Sequence, residues 1–437
     1  MSLQKLLLIS LVLLAVLLLS ARLPLTYNLR NLVVRWRITA LTALAFTLVV
    51  ALLTVMLAFV NGMYRLTQAS GIPGNVIILS DGATDELFSN LAYRDSSNVE
   101  YGKDSPVLRD EQGQPMVSRE VYLVVNQPLP PVAGERKKRR FLQVRGIDDP
   151  VMSGRVHGLE LHPGGKWFSG PGVEPALKDA AGRQAIQAVL GEGVAKELGA
   201  DQGKESLAVG DRFYFGEREW VIVGITKSSG TTFGSEIWAK RAIVGPLFGK
   251  EFTRTTIVAR TADLASAKAF AQDLTRNYKY TAVQALPEIE YYEKLQETNK
   301  QFLVAIIFVA VVLAVGGVFG VMNTMFAAIS QRIRDIGVLR ILGFSPRQIL
   351  MSFFIESLLI ALIGGLLGCA VGYLCNGWSA TSIVSGSQGG GKSVVFQLVV
   401  DRDILAAGLL FTLAMGALGG FLPALSAMRL KPLDAVR

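Results

Sequence analysis

The chain has 437 residues, of which 51% are hydrophobic and 18% charged, where soluble domains carry about 25% charged residues. Its mean hydropathy is +0.39. So much apolar surface exceeds the needs of one soluble core, and lipid is the natural solvent for part of it. The net charge of +9 would point a soluble protein toward nucleic acid. Here the basic residues cluster beside apolar segments, a membrane-topology signal, so a lipid bilayer is the expected partner and nucleic acid is not.

In chain order, residues 1–28 contain an apolar run, 6–19, that follows Lys5 and ends at Ser20 and Ala21. It fits a signal-peptide core or an extra spanning helix. Residues 29–62 hold Arg30, Arg35 and Arg37, then the first full-length apolar segment, 38–60. Three more follow at 302–328, 349–375 and 404–427. Each is long enough to cross a bilayer as a helix. None contains Lys, Arg or Asp, and Glu356 is their only carboxylate.

Residues 63–300 are long enough for a folded domain of their own. Alternation and β-branched content predict strands over 75–79, 120–125, 140–144, 211–215, 219–225 and 255–259. Apolar residues at helical spacing (Ile186, Val189, Leu190, Val194, Leu198) predict a helix over 183–198, and 264–277 is predicted as an amphipathic helix. Residues 285–300, rich in Glu and Lys, are predicted to run as a helical stalk into the second span. The order is α+β rather than strict βαβ alternation.

Orientation follows from the Lys/Arg bias of short loops. Arg22, Arg30, Arg35 and Arg37 precede the first span, Arg332, Arg334, Arg340 and Arg347 lie between the second and third, and Arg429, Lys431 and Arg437 follow the fourth. These stretches are expected on the cytoplasmic side, including the loop 329–348 and the tail 428–437, with 63–300 and the loop 376–403 facing outward.

Within the loop, Ile333, Ile336, Gly337 and Arg340 recur at spacings of three and four, one face of a short amphipathic helix at the membrane surface. Periodicity alone divides evenly between a topological loop and a docking helix for a cytosolic partner. Glu356 is an ionisable side chain within a span, which favours a structural or coupling role over proton transfer. The stretch 386–393, GSQGGGKS, matches the phosphate-binding loop pattern, but it lies between two spans without the required strand and helix, and a flexible tip fits better. The basic run 136–140, RKKRR, fits a solvated hairpin or a contact with anionic headgroups. Cys369 and Cys375 share one apolar segment and are not placed to pair. His157 and His162 lack a zinc-type pattern, and no nucleophile elbow occurs, so no active site, metal or cofactor is expected in the chain.

The segment 322–350 resembles the cytoplasmic loop of the MacB/LolC/FtsX family of ABC permeases, also called type VII or mechanotransmission ABC transporters. Asn323, Met325, Arg332, Arg334, Ile336, Gly337 and Gly343 fall in register with that loop; Asp335 replaces a Glu, and Gln331 stands where a Glu is common. The third span is similar too, with Glu356 and a small-residue packing face of Gly364, Gly365 and Gly368, as are the outer stretches 191–198, 209–215 and 221–225. The ending matches at Pro423, Ala424, Ala427, Pro432, Ala435 and Arg437.

The resemblance implies an α-helical membrane protein with four core spans and a large α+β extracytoplasmic domain between the first and second. It implies a non-catalytic permease of the cell inner membrane, paired with a second copy or homologue. A separate cytosolic ABC ATPase would hold ATP and Mg and engage Arg332, Arg334, Asp335, Gly337, Arg340 and Gly343. A periplasmic membrane-fusion or adaptor protein is a further implied partner. The cargo implied is a lipid, lipoprotein, peptide or drug-like molecule. The alternative is a non-transporting transducer that regulates a periplasmic hydrolase or a sensor kinase; a membrane-anchored enzyme would need a catalytic constellation that is not found.

Overall fold

A computed structural model describes residues 3–20, 30, 32–34, 36–92, 99, 105–129, 139–228, 230–279, 281–295, 297–385 and 391–430. They fall into two compact units. One comprises Met1–Asn61, Gln301–Trp378 and Leu398–Arg437; the other comprises Gly62–Lys300 and Ser379–Gln397.

The first unit is helical. It holds α1 (Leu3–Ser20) and most of α2 (Trp36–Ser70). Among the described residues, four helices are long and apolar enough to cross a membrane, over Trp36–Ser70, Gln301–Ser330, Pro346–Tyr373 and Arg402–Met428. Helix α1 is a shorter apolar helix, and its Leu7, Leu11 and Leu14 pack against Leu358 and Leu413. In water, helices pack to bury apolar surface, but in lipid close backbone approach matters more, and small residues permit it. Gly364, Gly368 and Gly372, four residues apart, press on the first span. A Cβ at Gly364 would lie 2.5 Å from Phe46 Cβ, at Gly368 2.7 Å from Val50 Cβ, and at Gly372 2.6 Å from Thr54 Cβ. Gly365 turns the other way, where a Cβ would meet Thr412 Oγ1 at 2.4 Å.

The outer unit is built on one large sheet. Its strands are β1 (Asn75–Ser80), β3 (Val117–Pro128), β4 (Arg139–Ile147), β5 (Val173–Lys178), β6 (Gln184–Gly191), β7 (Arg212–Phe215), β8 (Arg218–Thr226), β9 (Glu236–Lys240), β11 (Thr256–Arg260) and β12 (Val283–Pro287). The short strands β2 (Leu91–Ala92) and β10 (Thr253–Arg254) pair separately. The sheet order is β12-β1-β11-β3-β4-β9-β6-β8-β7, with β5 on β6. Pairing is antiparallel except for β4 with β9 and β6 with β8. Helices α3 (Pro150–Val156), α4 (Glu192–Asp201), α5 (Arg241–Leu247), α6 (Leu264–Asn277) and α7 (Glu288–Leu295) complete the unit, with a 3₁₀ turn over Thr232–Ser235. Helix α8 (Glu297–Ser330) continues the chain into the first unit.

The structure corrects the sequence reading in three places. The segment 183–198 is not one helix: Gln184–Gly191 is a strand, and a helix starts only at Glu192. Seven of the strand's eight residues are buried, because it lies between β8 and β9. A strand buried on both faces is apolar at nearly every position and so also satisfies helical spacing. The predicted stalk over 285–300 begins as strand. Ala285 to Pro287 end β12, which pairs with β1, so the helix starts at Glu288, and Gln296 lies outside the described residues. The third correction concerns the outward loop 376–403. It contains an antiparallel hairpin, β13 (Ser379–Ser385) with β14 (Gly391–Gln397). The tip at 386–390 lies outside the described residues, as do 136–138 of the basic run. Gly391, Lys392 and Ser393 lie on a strand rather than at a helix start, where a phosphate-binding loop would require a helix.

Candidate functional site

The surface helix between the second and third spans is α9 (Ile333–Ile341), and the third span is α10 (Pro346–Tyr373). Its turn is closed at both ends by backbone chemistry. Gly343 has φ +95°, the left-handed conformation that favours glycine. The Gly343 N–H donates to Arg340 O at 3.2 Å and the Phe344 N–H to Leu339 O at 3.1 Å, which caps α9 in the Schellman pattern. Two residues on, Ser345 caps α10. Its Oγ accepts from the Gln348 N–H while Gln348 Oε1 accepts from the Ser345 N–H, and Pro346 opens the helix. Helix stop and helix start are therefore adjacent, leaving little freedom between α9 and α10.

The root of α9 is fixed by an ion pair. Arg332, its N-cap residue, donates from Nη1 to Glu356 Oε2 at 2.8 Å and from Nη2 to Glu356 Oε1 at 2.9 Å. Both are buried, at 3% exposed each. The guanidinium also lies over the Phe353 ring, 5.7 Å from its centroid. A bidentate pair of this kind satisfies a carboxylate that would be costly inside a span. Arg332 thus faces inward, and Gly337 is buried with Ile336. Arg334, Asp335 and Gly343 are exposed and Arg340 is half-buried. Beside them Val338, Ile341 and Leu342 are 53%, 65% and 70% exposed. The surface helix therefore presents exposed Val338, Ile341 and Leu342, with exposed Arg334 one turn before Val338, a feature the amphipathic reading did not anticipate.

A second polar centre, not foreseen from the sequence, lies inside the outer unit. Arg145 on β4 is 1% exposed. It bonds Glu236 through Nε at 2.6 Å and Nη2 at 2.8 Å, Glu86 through Nη1 at 2.9 Å, and also Glu120. Tyr122, Phe233 and Trp238 surround the guanidinium with their rings. His157 Nε2 lies 2.5 Å from Glu120 Oε1, and its Nδ1 lies 3.7 Å from Glu288 Oε1. Glu288, at the start of α7, accepts from the Ile72 N–H at 3.0 Å and from Asn75 Nδ2 at 2.8 Å. The network thereby joins the middle of the sheet to the ends of both long helical connections. Among the described residues no group of three or more His, Cys, Asp or Glu is arranged to hold a metal.

Burial pushes the His157 pKa down, but the Glu120 carboxylate and the contacts with Glu120 and Glu288 outweigh it and hold it at about 9. Burial pushes Glu120 up, and the Arg145 and His157 charges outweigh that, leaving it at about 2. Linkage then sets the pH dependence. The raised His157 pKa contributes stability fully below about 6.5, lost as pH rises toward about 9. The lowered Glu120 pKa contributes stability fully above about 4.5, lost as pH falls toward about 2. The outer unit is expected to melt at its highest temperature between these limits, and His157→Gln is expected to flatten the alkaline fall. A melting temperature that falls equally in both proteins from pH 6.5 to 9 would contradict this.

Two family profiles match the chain. The MacB-like periplasmic core domain covers residues 39–277 and the FtsX-like permease C-terminal domain covers residues 307–432. The macrolide export ATP-binding/permease protein MacB of Shewanella sp. (strain ANA-3) is 26% identical over 384 residues, covering 83% of this chain and 55% of that protein. Its namesake in Shewanella oneidensis is 29% identical over 291 residues, covering 64% of this chain and 42% of that protein. The chain thus spans about half the length of the curated relatives it matches. The crystal structure of the periplasmic region of MacB from Actinobacillus actinomycetemcomitans aligns with 52% of this chain at 14% identity and a TM-score of 0.34. With four helices able to span a bilayer, an α+β domain inserted between the first two, and the periplasmic-core match alone spanning more than half its length, the chain belongs to the MacB/FtsX family.

Proposed function

We propose that the chain is the permease subunit of an ABC transporter in the inner membrane, with its outer unit in the periplasm. A separate cytosolic ATPase, holding ATP and Mg, docks on α9 and drives extracytoplasmic work. A second permease copy or homologue completes the membrane part, and a periplasmic adaptor extends it. The cargo is an amphiphile, whether lipid, lipoprotein, peptide or drug-like molecule. The relatives are named for export, which favours transport over signalling.

One observation carries the reading most. Helix α9 presents Val338, Ile341 and Leu342 to the outside while Arg332 ties its root to the third span. A partner pushing on those side chains pushes on the span. Pairing with a second copy is supported by the second span, where 6% of the residues in an 18-residue apolar stretch are buried within this chain, against 33%, 61% and 50% in the first, third and fourth. The test is co-purification from detergent with the cytosolic ATPase. Arg334→Glu and Leu342→Ser are each expected to lower recovery of the ATPase about tenfold, as loss of ~1.4 kcal/mol would, with the outer unit's melting unchanged. Full recovery with both variants rejects α9 as the docking helix.

A further inference from the structure

The outer unit has three kinds of covalent connection to the spans. Helix α2 runs unbroken from Trp36 to Ser70. Helix α7 precedes the second span. The hairpin β13–β14 joins the third and fourth spans. The hairpin nevertheless groups with the outer unit rather than with the spans that carry it.

All three meet at one buried turn, Thr232–Ser235. The Thr232 N–H donates to Ser70 Oγ at the end of α2, at 2.8 Å. Thr232 Oγ1 donates to the Tyr292 hydroxyl on α7 at 3.4 Å. Ser235 Oγ accepts from the Val395 N–H of β14 at 2.7 Å. The seat is tight. A Cβ at Gly193 would lie 2.9 Å from Gly234 O and 3.1 Å from Val395 Cβ, and one at Gly62 on α2 would lie 2.3 Å from Gln397 O. Phe396 is 2% exposed. From the turn, the Phe233 ring faces His157 at 4.9 Å and Arg145 at 5.7 Å, so the turn also rests on the ionic centre.

We propose that the Thr232–Ser235 turn is the node through which the outer unit senses all four spans, and that the β13–β14 hairpin is a third strut beside the two helical connections. Ser235, Gly193 and Gly62 are its positioning residues. A displacement of the third and fourth spans then reaches the ionic centre without passing through the first or second. Its use in transport rests on the permease reading above. The node itself is a property of this chain alone.

The test is hydrogen exchange, resolved to single amides, on the full chain in detergent, so it needs no ATPase and fails separately from the permease reading. In Ser235→Ala, the Val395 amide is expected to exchange about tenfold faster while the β13–β14 pairs stay protected. In a chain with residues 379–397 replaced by an equally long Gly/Ser linker, exchange is expected to rise about tenfold at Thr232, and also in 67–70 and 289–295, with β8 and β9 unchanged. Val395 remaining protected in Ser235→Ala overturns the docking. Exchange in the linker chain that rises only at Ser235, leaving Thr232, 67–70 and 289–295 as before, overturns the node and reduces the hairpin to a local contact.

Discussion

Replacing Arg145 by Met is expected to cost the outer unit about 3–5 kcal/mol, the usual consequence of removing one partner from a buried ionic group. Arg145 is the shared cation for Glu86, Glu120 and Glu236, each no more than 1% exposed. Without it these carboxylates either stay charged in a low-dielectric interior or take up protons, and both routes destabilise the fold. A domain with total stability of about 5–15 kcal/mol has little margin for such a loss. The measurement is thermal unfolding of the full chain, followed through Trp167, Trp220 and Trp238 of the outer unit. Arg145→Lys keeps the charge but loses the planar fork that reaches three carboxylates, so it should fall between. Adding Glu86→Gln and Glu236→Gln to Arg145→Met should recover part of the loss, because charge imbalance rather than lost volume is the cause. An Arg145→Met protein that melts with the parent, or a triple variant no better than the single, would refute the electrostatic account.

The sequence made the membrane part legible because a span is a length criterion applied to one property. Three of the four predicted segments lie inside helices found here, α2 running ten residues past its segment to Ser70, while the segment 349–375 overruns the end of α10 at Tyr373 by two residues. The helix predicted over 264–277 is found as α6, Leu264–Asn277, since one apolar face at helical period admits no competing strand pattern. The strand β6 was misread because full burial erases the alternation that marks a strand. The hairpin β13–β14 escapes the sequence reading because only the Gly-rich stretch 386–393 draws attention there, as a flexible tip, and no strand is predicted on either side of it.

The polar centres were hidden for a different reason. Their members come from distant places in the chain, Glu86 and Glu236 meeting at Arg145 across 59 and 91 residues. No spacing motif records such a meeting. A cue did exist in the residues themselves. Arg145 interrupts FLQVRGI and Glu120 precedes VYLVV, and a charge inside a run that must be buried requires a partner. Glu356 stands out on that ground, whereas Arg332 is assigned to the ATPase contact only through its register with the family's loop, which carries no sign of its partner in the third span.

That Arg332–Glu356 pair separates stability from coupling more sharply than any other contact in the membrane unit. Removing either partner alone, as Arg332→Met or Glu356→Leu, leaves a buried uncompensated charge and should cost about 3–5 kcal/mol. Replacing both at once should be close to neutral, since a buried ion pair exchanged for apolar side chains of similar volume is often no less stable. The two-residue variant therefore isolates what the pair does beyond holding the fold. The bidentate geometry fixes the direction of α9 against α10, which Met and Leu cannot do. On the permease reading proposed above, the expected outcome is a protein that melts with the parent and retains the ATPase, yet whose outer unit no longer changes its hydrogen exchange when ATP is added. Singles that melt like the parent would show that the pair is weak. A two-residue variant with the full ATP response would show that the turn from Gly343 to Gln348, with its two caps, is sufficient to carry the motion.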